Sequence, residues 1–195
     1  MPTNIQIASN ALVLVGDNAI TSFGDPGAGA EVATAIYSET YRELLAEHPW
    51  TFALKEQLLN QLSQTPDDLT GFDKAYQIPG EVIRLWAIFP QSQYTIVGNL
   101  IYSNENELLA RYTYKVAETS LPPHFVKVLE YKLASDFAVS VTDSASKAEL
   151  YEVKHRKMLA MARTIDSQSK PQTPIVDSPF VNSRVNDKGI GTNRF

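Results

Sequence analysis

The 195-residue chain contains no cysteine, which excludes disulfides, thiolate metal ligands and a cysteine nucleophile in one step. It has no run of eighteen or so apolar residues, the length a membrane-spanning helix needs. The opening MPTNIQIASN also lacks the basic-then-apolar order of a signal peptide. Neither membrane insertion nor secretion by that route is expected. Cationic excess is missing too: 17 lysines and arginines face 22 aspartates and glutamates, a net charge of −5. A sequence-independent grip on nucleic acid needs clustered positive charge instead. Only three histidines occur, His48, His124 and His155, and their separation does not match metal-ligand spacing.

The chain is 44% hydrophobic and 20% charged, the balance of a soluble globular protein, and it is long enough for one domain with a real core. The stretch that organises it is Val32 to Phe52. Val32, Ile36, Tyr37, Tyr41, Leu44 and Leu45 recur at three- and four-residue steps, while Glu39, Arg42, Glu43 and Glu47 fall mostly on the other side; this predicts a long amphipathic helix that needs cover. Pro49 ends it by pushing His48 out of the helical region. Trp50 and Phe52 alternate with Thr51 as on a half-buried strand, so a strand is expected to start there.

An earlier helix is expected from residue 4 to 15, capped by Thr3 or Asn4 and stopped by Gly16. A loop anchored by Ile20 and Phe23 then leads to the second helix, 28–48, for which Asp25 is a plausible cap. Residues 50–115 predict a small antiparallel sheet. Its pieces are Thr51 to Leu62, a turn at Pro66-Asp67-Asp68, Ala75 to Pro79, and Val82 to Phe89, too densely apolar for strict alternation. A hairpin through Gly98-Asn99 and a closing strand from Leu108 to Tyr114 complete it. Pro123 then sits at the first turn of a third helix, 123–141. A fourth, 145–167, has Leu150, Lys154, Met158 and Met161 along one side, with caps available from Thr142 to Ser146. The reading is an α+β domain over residues 1–169, a four-helix bundle with an inserted sheet.

From Ser169 the composition shifts. Residues 170–195 are polar and proline-containing, carry +2 against −7 for the rest, and space Ile175, Val176, Phe180, Val181, Ile190 and Phe195 as isolated anchors. Such a segment is expected to be an extended arm, with a reach of roughly 90 Å at full extension.

Each motif with chemical potential has a plainer reading beside it. Gly24 to Gly29, GDPGAG, has no following Lys-Ser or Lys-Thr and no preceding strand, and reads as a helix-entry turn rather than a nucleotide loop. The carboxylate pairs Asp67-Asp68 and Glu105/Glu107 fall in predicted loops and read as solvated charge rather than an acid–base pair. Lys154-His155-Arg156-Lys157 is splayed by helical geometry, leaving a solvated face or a patch for an acidic partner. Trp50 and Trp86 read as core rather than as ligand platforms. No catalytic residue, metal ligand or cofactor site is assigned, and the chain reads as an interaction protein.

Several stretches, in order, resemble the tail tubular protein A family, the head-to-tail connector or portal adaptor of short-tailed phages. They are ASNALVLVG from Ala8, the helix Tyr37 to Ala46 running into His48-Pro49-Trp50-Thr51-Phe52-Ala53, Tyr76-x-Ile78-Pro79 before an apolar strand, Leu121-Pro122-Pro123-x-Phe125, and the long fourth helix. The resemblance covers roughly residues 4–168. It implies a structural virion protein at the head-tail junction, without enzyme activity or cofactors, forming a homo-oligomeric ring of about twelve copies. Its partners would be the portal protein and the tail nozzle protein, and transiting DNA would make only non-specific contact. The arm would supply partner-binding residues toward the portal or a neighbouring subunit, namely Ile175, Val176, Phe180, Val181, Arg184, Arg194 and Phe195. Another tail-completion or virion assembly protein, or a lysis-linked hydrolase, are the alternatives.

Overall fold

The computed structural model describes residues 2–63 and 71–169. In chain order the elements are α1 (Asn4–Val15), α2 (Ala28–Glu47), β1 (Leu54–Leu58), β2 (Asn60–Gln61), β3 (Lys74–Gln77), β4 (Val82–Phe89) and β5 (Tyr94–Val97). They continue through β6 (Leu100–Ser103), β7 (Leu109–Tyr114), α3 (Pro123–Thr142) and α4 (Ala145–Gln168). The α+β class, with two helices on either side of a β region, is as the sequence indicates.

Helix α1 begins with a capping box: the Thr3 hydroxyl accepts from the Gln6 N–H and the Gln6 side chain accepts from the Thr3 N–H. It stops at Gly16, whose φ of +89° only glycine adopts cheaply. Its face Ile7, Ala8, Ala11, Leu12 and Val15 is fully buried. From α2, Tyr37, Tyr41, Leu44 and Leu45 join it, and from α3 so do Phe125, Val128, Leu129, Leu133 and Phe137. At about 1.5–3 kcal/mol per buried large side chain, this helical cluster dominates the stability of the chain.

The β region is two sheets rather than one. A three-stranded sheet has the order β1-β7-β4 and a four-stranded one the order β2-β3-β6-β5, antiparallel throughout. The expected closing strand, β7, is therefore the centre of the first sheet. The missing alternation in Val82 to Phe89 comes from bulges between Val82 and Arg84 and between Leu85 and Ala87, each of which swaps the faces that later residues present. Gly98, at φ +60°, holds the first central position of the β5–β6 turn, as a type II′ hairpin requires. A second cluster of Tyr76, Ile88, Ile101, Leu108, Ala110 and Tyr112 fills the sheets, and Tyr114 touches both clusters.

Three local expectations need correction. Thr51 to Ala53 is a 3₁₀ turn and the strand starts only at Leu54; the Trp50 indole, instead of lying on a strand, folds back to donate to the Leu44 carbonyl at 2.9 Å. Asp25 does not cap α2, whose cap is Gly27; its carboxylate accepts the N–H groups of Thr21 and Ser22 and closes the preceding loop. The buried side of α4 is Tyr151, His155, Leu159, Ala162 and Asp166, not the Leu150 side. Ser144 caps that helix as foreseen. The turn at Pro66-Asp67-Asp68 and the arm 170–195 lie outside the described residues.

Candidate functional site

The helices are stitched together by buried polar groups reaching across large sequence distances. Glu130 on α3, almost fully buried, accepts from Asn10 of α1 at 2.8 Å and pairs with Lys127 at 2.5 Å. His155 on α4 places Nδ1 3.2 Å from the Val128 carbonyl, so that Nδ1 is read as the protonated nitrogen. Asp166, near the end of α4, receives the Thr51 N–H at 3.0 Å and the Thr51 hydroxyl at 3.0 Å. His48 Nε2 stands 3.6 Å from the same carboxylate. The ends of α2 and α4 and the root of β1 therefore meet at one carboxylate.

Two clefts open beside this framework. The larger, about 430 Å³, lies over the C-terminal half of α2, with Glu43, Glu47, Arg84, Lys132 and His155 on its walls. Most of its charge is already paired: Glu47 with Arg163 at 2.7 Å and Lys132 with Asp136 at 3.2 Å. Arg84 donates to the Ala46 carbonyl at 2.8 Å and stacks 4.2 Å over Trp86. Desolvation lowers the Lys132 pKa, but Asp136, Glu152 and Glu43 outweigh it and hold the group above its ordinary range. The smaller cleft, about 220 Å³, has Phe23, Tyr37, Lys115 and Glu118 around it. Burial first, then Glu118, pushes the Tyr37 phenol far above its usual range. Among the described residues, no group of three or more histidines, aspartates and glutamates is placed to hold a metal ion.

The residues weighed in the sequence fall as follows. Glu105 and Glu107 lie in the loop between β6 and β7, where the Glu105 carbonyl accepts from Tyr76. The glycine-rich stretch before α2 is a helix entry. The basic cluster is split: His155 is buried, Arg156 pairs with Glu152 at 3.1 Å, and Lys154 and Lys157 face outward. The arm residues Ile175, Val176, Phe180, Val181, Arg184, Arg194 and Phe195 lie outside the described residues.

Among the described residues, most exposed large apolar side chains lie on two regions: Leu58, Tyr94, Ile96 and Val97 on the sheets and Leu150, Val153 and Met161 on the outer side of α4. Val13 on α1, Val139 on α3 and Leu62 after β2 are exposed singly. The stripes of α1, α2 and α3 find most of their cover within the chain. Sequence reasoning missed Asp166 and Glu130, although helical spacing offered a signal: Glu130 lies four residues from Val126 and Ala134, and Asp166 four from Ala162, all buried. No protein-family model matches the chain, and no curated protein matches it.

Proposed function

We propose that the chain is a structural virion protein, an adaptor that assembles as a ring between the portal vertex and the tail nozzle and forms part of the DNA ejection channel. The observation that carries this reading is that most of its uncovered apolar side chains gather on the sheets and on the outer side of α4. Clustered apolar surface marks contact with other protein, and two different contact surfaces on a single chain allow head-to-tail association, which closes into a ring where the rotation between copies completes a circle. The order of helices and strands supports it, since the stretches resembling tail tubular protein A fall on α1, α2, the sheets, the entry of α3 and α4. Net charge supports it as well. A dozen copies at −5 each place roughly sixty negative charges around a channel, and repulsion of phosphate lets a DNA strand slide without sticking. The arm, at +2 and bearing spaced apolar anchors, adds a dozen weak attachments whose avidity fixes the ring.

Immunogold labelling of purified particles tests the assignment. Gold at the single vertex where head meets tail supports the adaptor role; gold elsewhere on the particle points to another virion component. Labelling of host debris alone, with no signal on particles, overturns the reading.

A further inference from the structure

The outer sides of α2 and α4 each carry a stripe at alternating three- and four-residue steps, with opposite charge. On α2, Ile36, Glu39, Glu43 and Ala46 follow one another at steps of three, four and three, so they share one face. Glu39 and Glu43 are exposed, while Ile36 and Ala46 are half-buried. On α4, Leu150, Lys154, Lys157 and Met161 follow at steps of four, three and four. Leu150 and Met161 are 50% and 59% exposed, and Val153 beside them 41%. Both lysines are exposed as well. Each stripe has an apolar residue at either end and two like charges in the middle.

Resting on the ring reading above, we infer that the outer face of α4 on one copy docks antiparallel on the outer face of α2 on the next. The register sets Met161 against Ile36, Lys157 against Glu39, Lys154 against Glu43 and Leu150 against Ala46. The lengths agree: at 1.5 Å per residue the 20 residues of α2 and the 24 of α4 span about 30 and 36 Å. Charge selects the occupant. A body of net charge −5 repels its own copies over most of its surface, and the α4 stripe is a basic, apolar-ended strip on such a body. Lys154 holds its ammonium 4.7 Å from the Tyr151 ring and no carboxylate neutralises Lys157 among the described residues, so both are available. Glu43 stands at the wall of the 430 Å³ cleft beside Lys132 and Arg84, so the neighbour's Lys154 meets it at the mouth rather than inside. The two faces differ, so the contact is head-to-tail and each copy offers one of each.

Sedimentation velocity of the full chain with paired charge reversals tests the interface. Lys154→Glu with Lys157→Glu, and separately Glu39→Lys with Glu43→Lys, should each shift an associating chain to monomer, at least a tenfold loss of apparent affinity. An equimolar mixture of the two double variants, or all four changes in one chain, should restore assembly, because every α4 face then meets an α2 face of opposite sign. Circular dichroism confirms that these exposed substitutions leave the fold unchanged. Association that ignores both double variants overturns the interface and leaves the ring reading standing. Loss without rescue on mixing overturns the charge pairing and the register with it. A wild-type chain that never associates, with or without its portal, overturns interface and ring together.

Discussion

Replacing Asp166 by alanine removes the carboxylate that joins the end of α4 to the root of β1. Asp166 is 3% exposed and receives two donors of Thr51, its N–H and its hydroxyl, each at 3.0 Å. Leaving a buried donor unmet costs about 1–3 kcal/mol, and bonds to a charged acceptor stand at the upper end. Thr51 is half-buried, so water recovers part of that cost at each donor. A loss of about 2–4 kcal/mol remains, a large share of the 5–15 kcal/mol typical of a folded domain. In a chain of this size that lowers the melting temperature by roughly 4–15 °C. Urea unfolding followed by far-ultraviolet circular dichroism measures the change, with an unaltered slope expected, since the surface exposed on unfolding is the same. A double-mutant cycle with Thr51→Ala should return a coupling of about 1 kcal/mol. If Asp166→Ala costs less than about 0.5 kcal/mol, the carboxylate is not the tie described here.

Tyr41→Phe removes the hydroxyl that donates to the Val116 carbonyl at 2.6 Å in the core and should cost about 1–2 kcal/mol in the same unfolding assay. Burial first, then Glu118, raises the pKa of Tyr37 and Tyr41 well above the ordinary 10.0. The unfolded chain therefore loses these protons first as pH rises, so stability is complete below pH 10 and declines above it. Absorbance at 295 nm should show Tyr37 and Tyr41 ionising only as the chain unfolds, with Tyr76 and Tyr112 also delayed by burial, and ordinary titration of all nine would contradict this. Gly98→Ala should cost about 1 kcal/mol at its φ of +60°, measured by thermal melting. A chain ending at Ser169 should keep its helical circular dichroism spectrum and attach more weakly to the portal in a pull-down.

Three of the helices were legible at their ends, since Thr3, Gly16, Pro123 and Ser144 all act within a few residues of the helix end they mark. The second was legible from its apolar stripe and from Pro49, while its expected cap, Asp25, closes the loop before it. The β5–β6 hairpin was legible locally as well, through Gly98. The facing of α4 was not. Its apolar residues lie on two sides, and the side that packs is chosen by His155 and Asp166, whose partners Val128 and Thr51 are 27 and 115 residues away. The split into two sheets depends on β7 lying between β1 and β4, a long-range pairing that alternation along one strand does not encode. Trp50 misled because its spacing with Phe52 fits a strand, while its indole bonds to the Leu44 carbonyl of the helix just finished. As a candidate partner-binding face, Lys154 and Lys157 were visible as a basic pair in the sequence; their match to Glu39 and Glu43 emerged only once both helices had outer sides.

The most direct test of the adaptor reading is electron microscopy of the full chain mixed with the portal protein of the same phage. Closed rings of this chain stacked on the portal, with α4 of each copy against α2 of its neighbour, are the expected result. Portal particles with bare ends, and this chain left as single copies in the background, would contradict it.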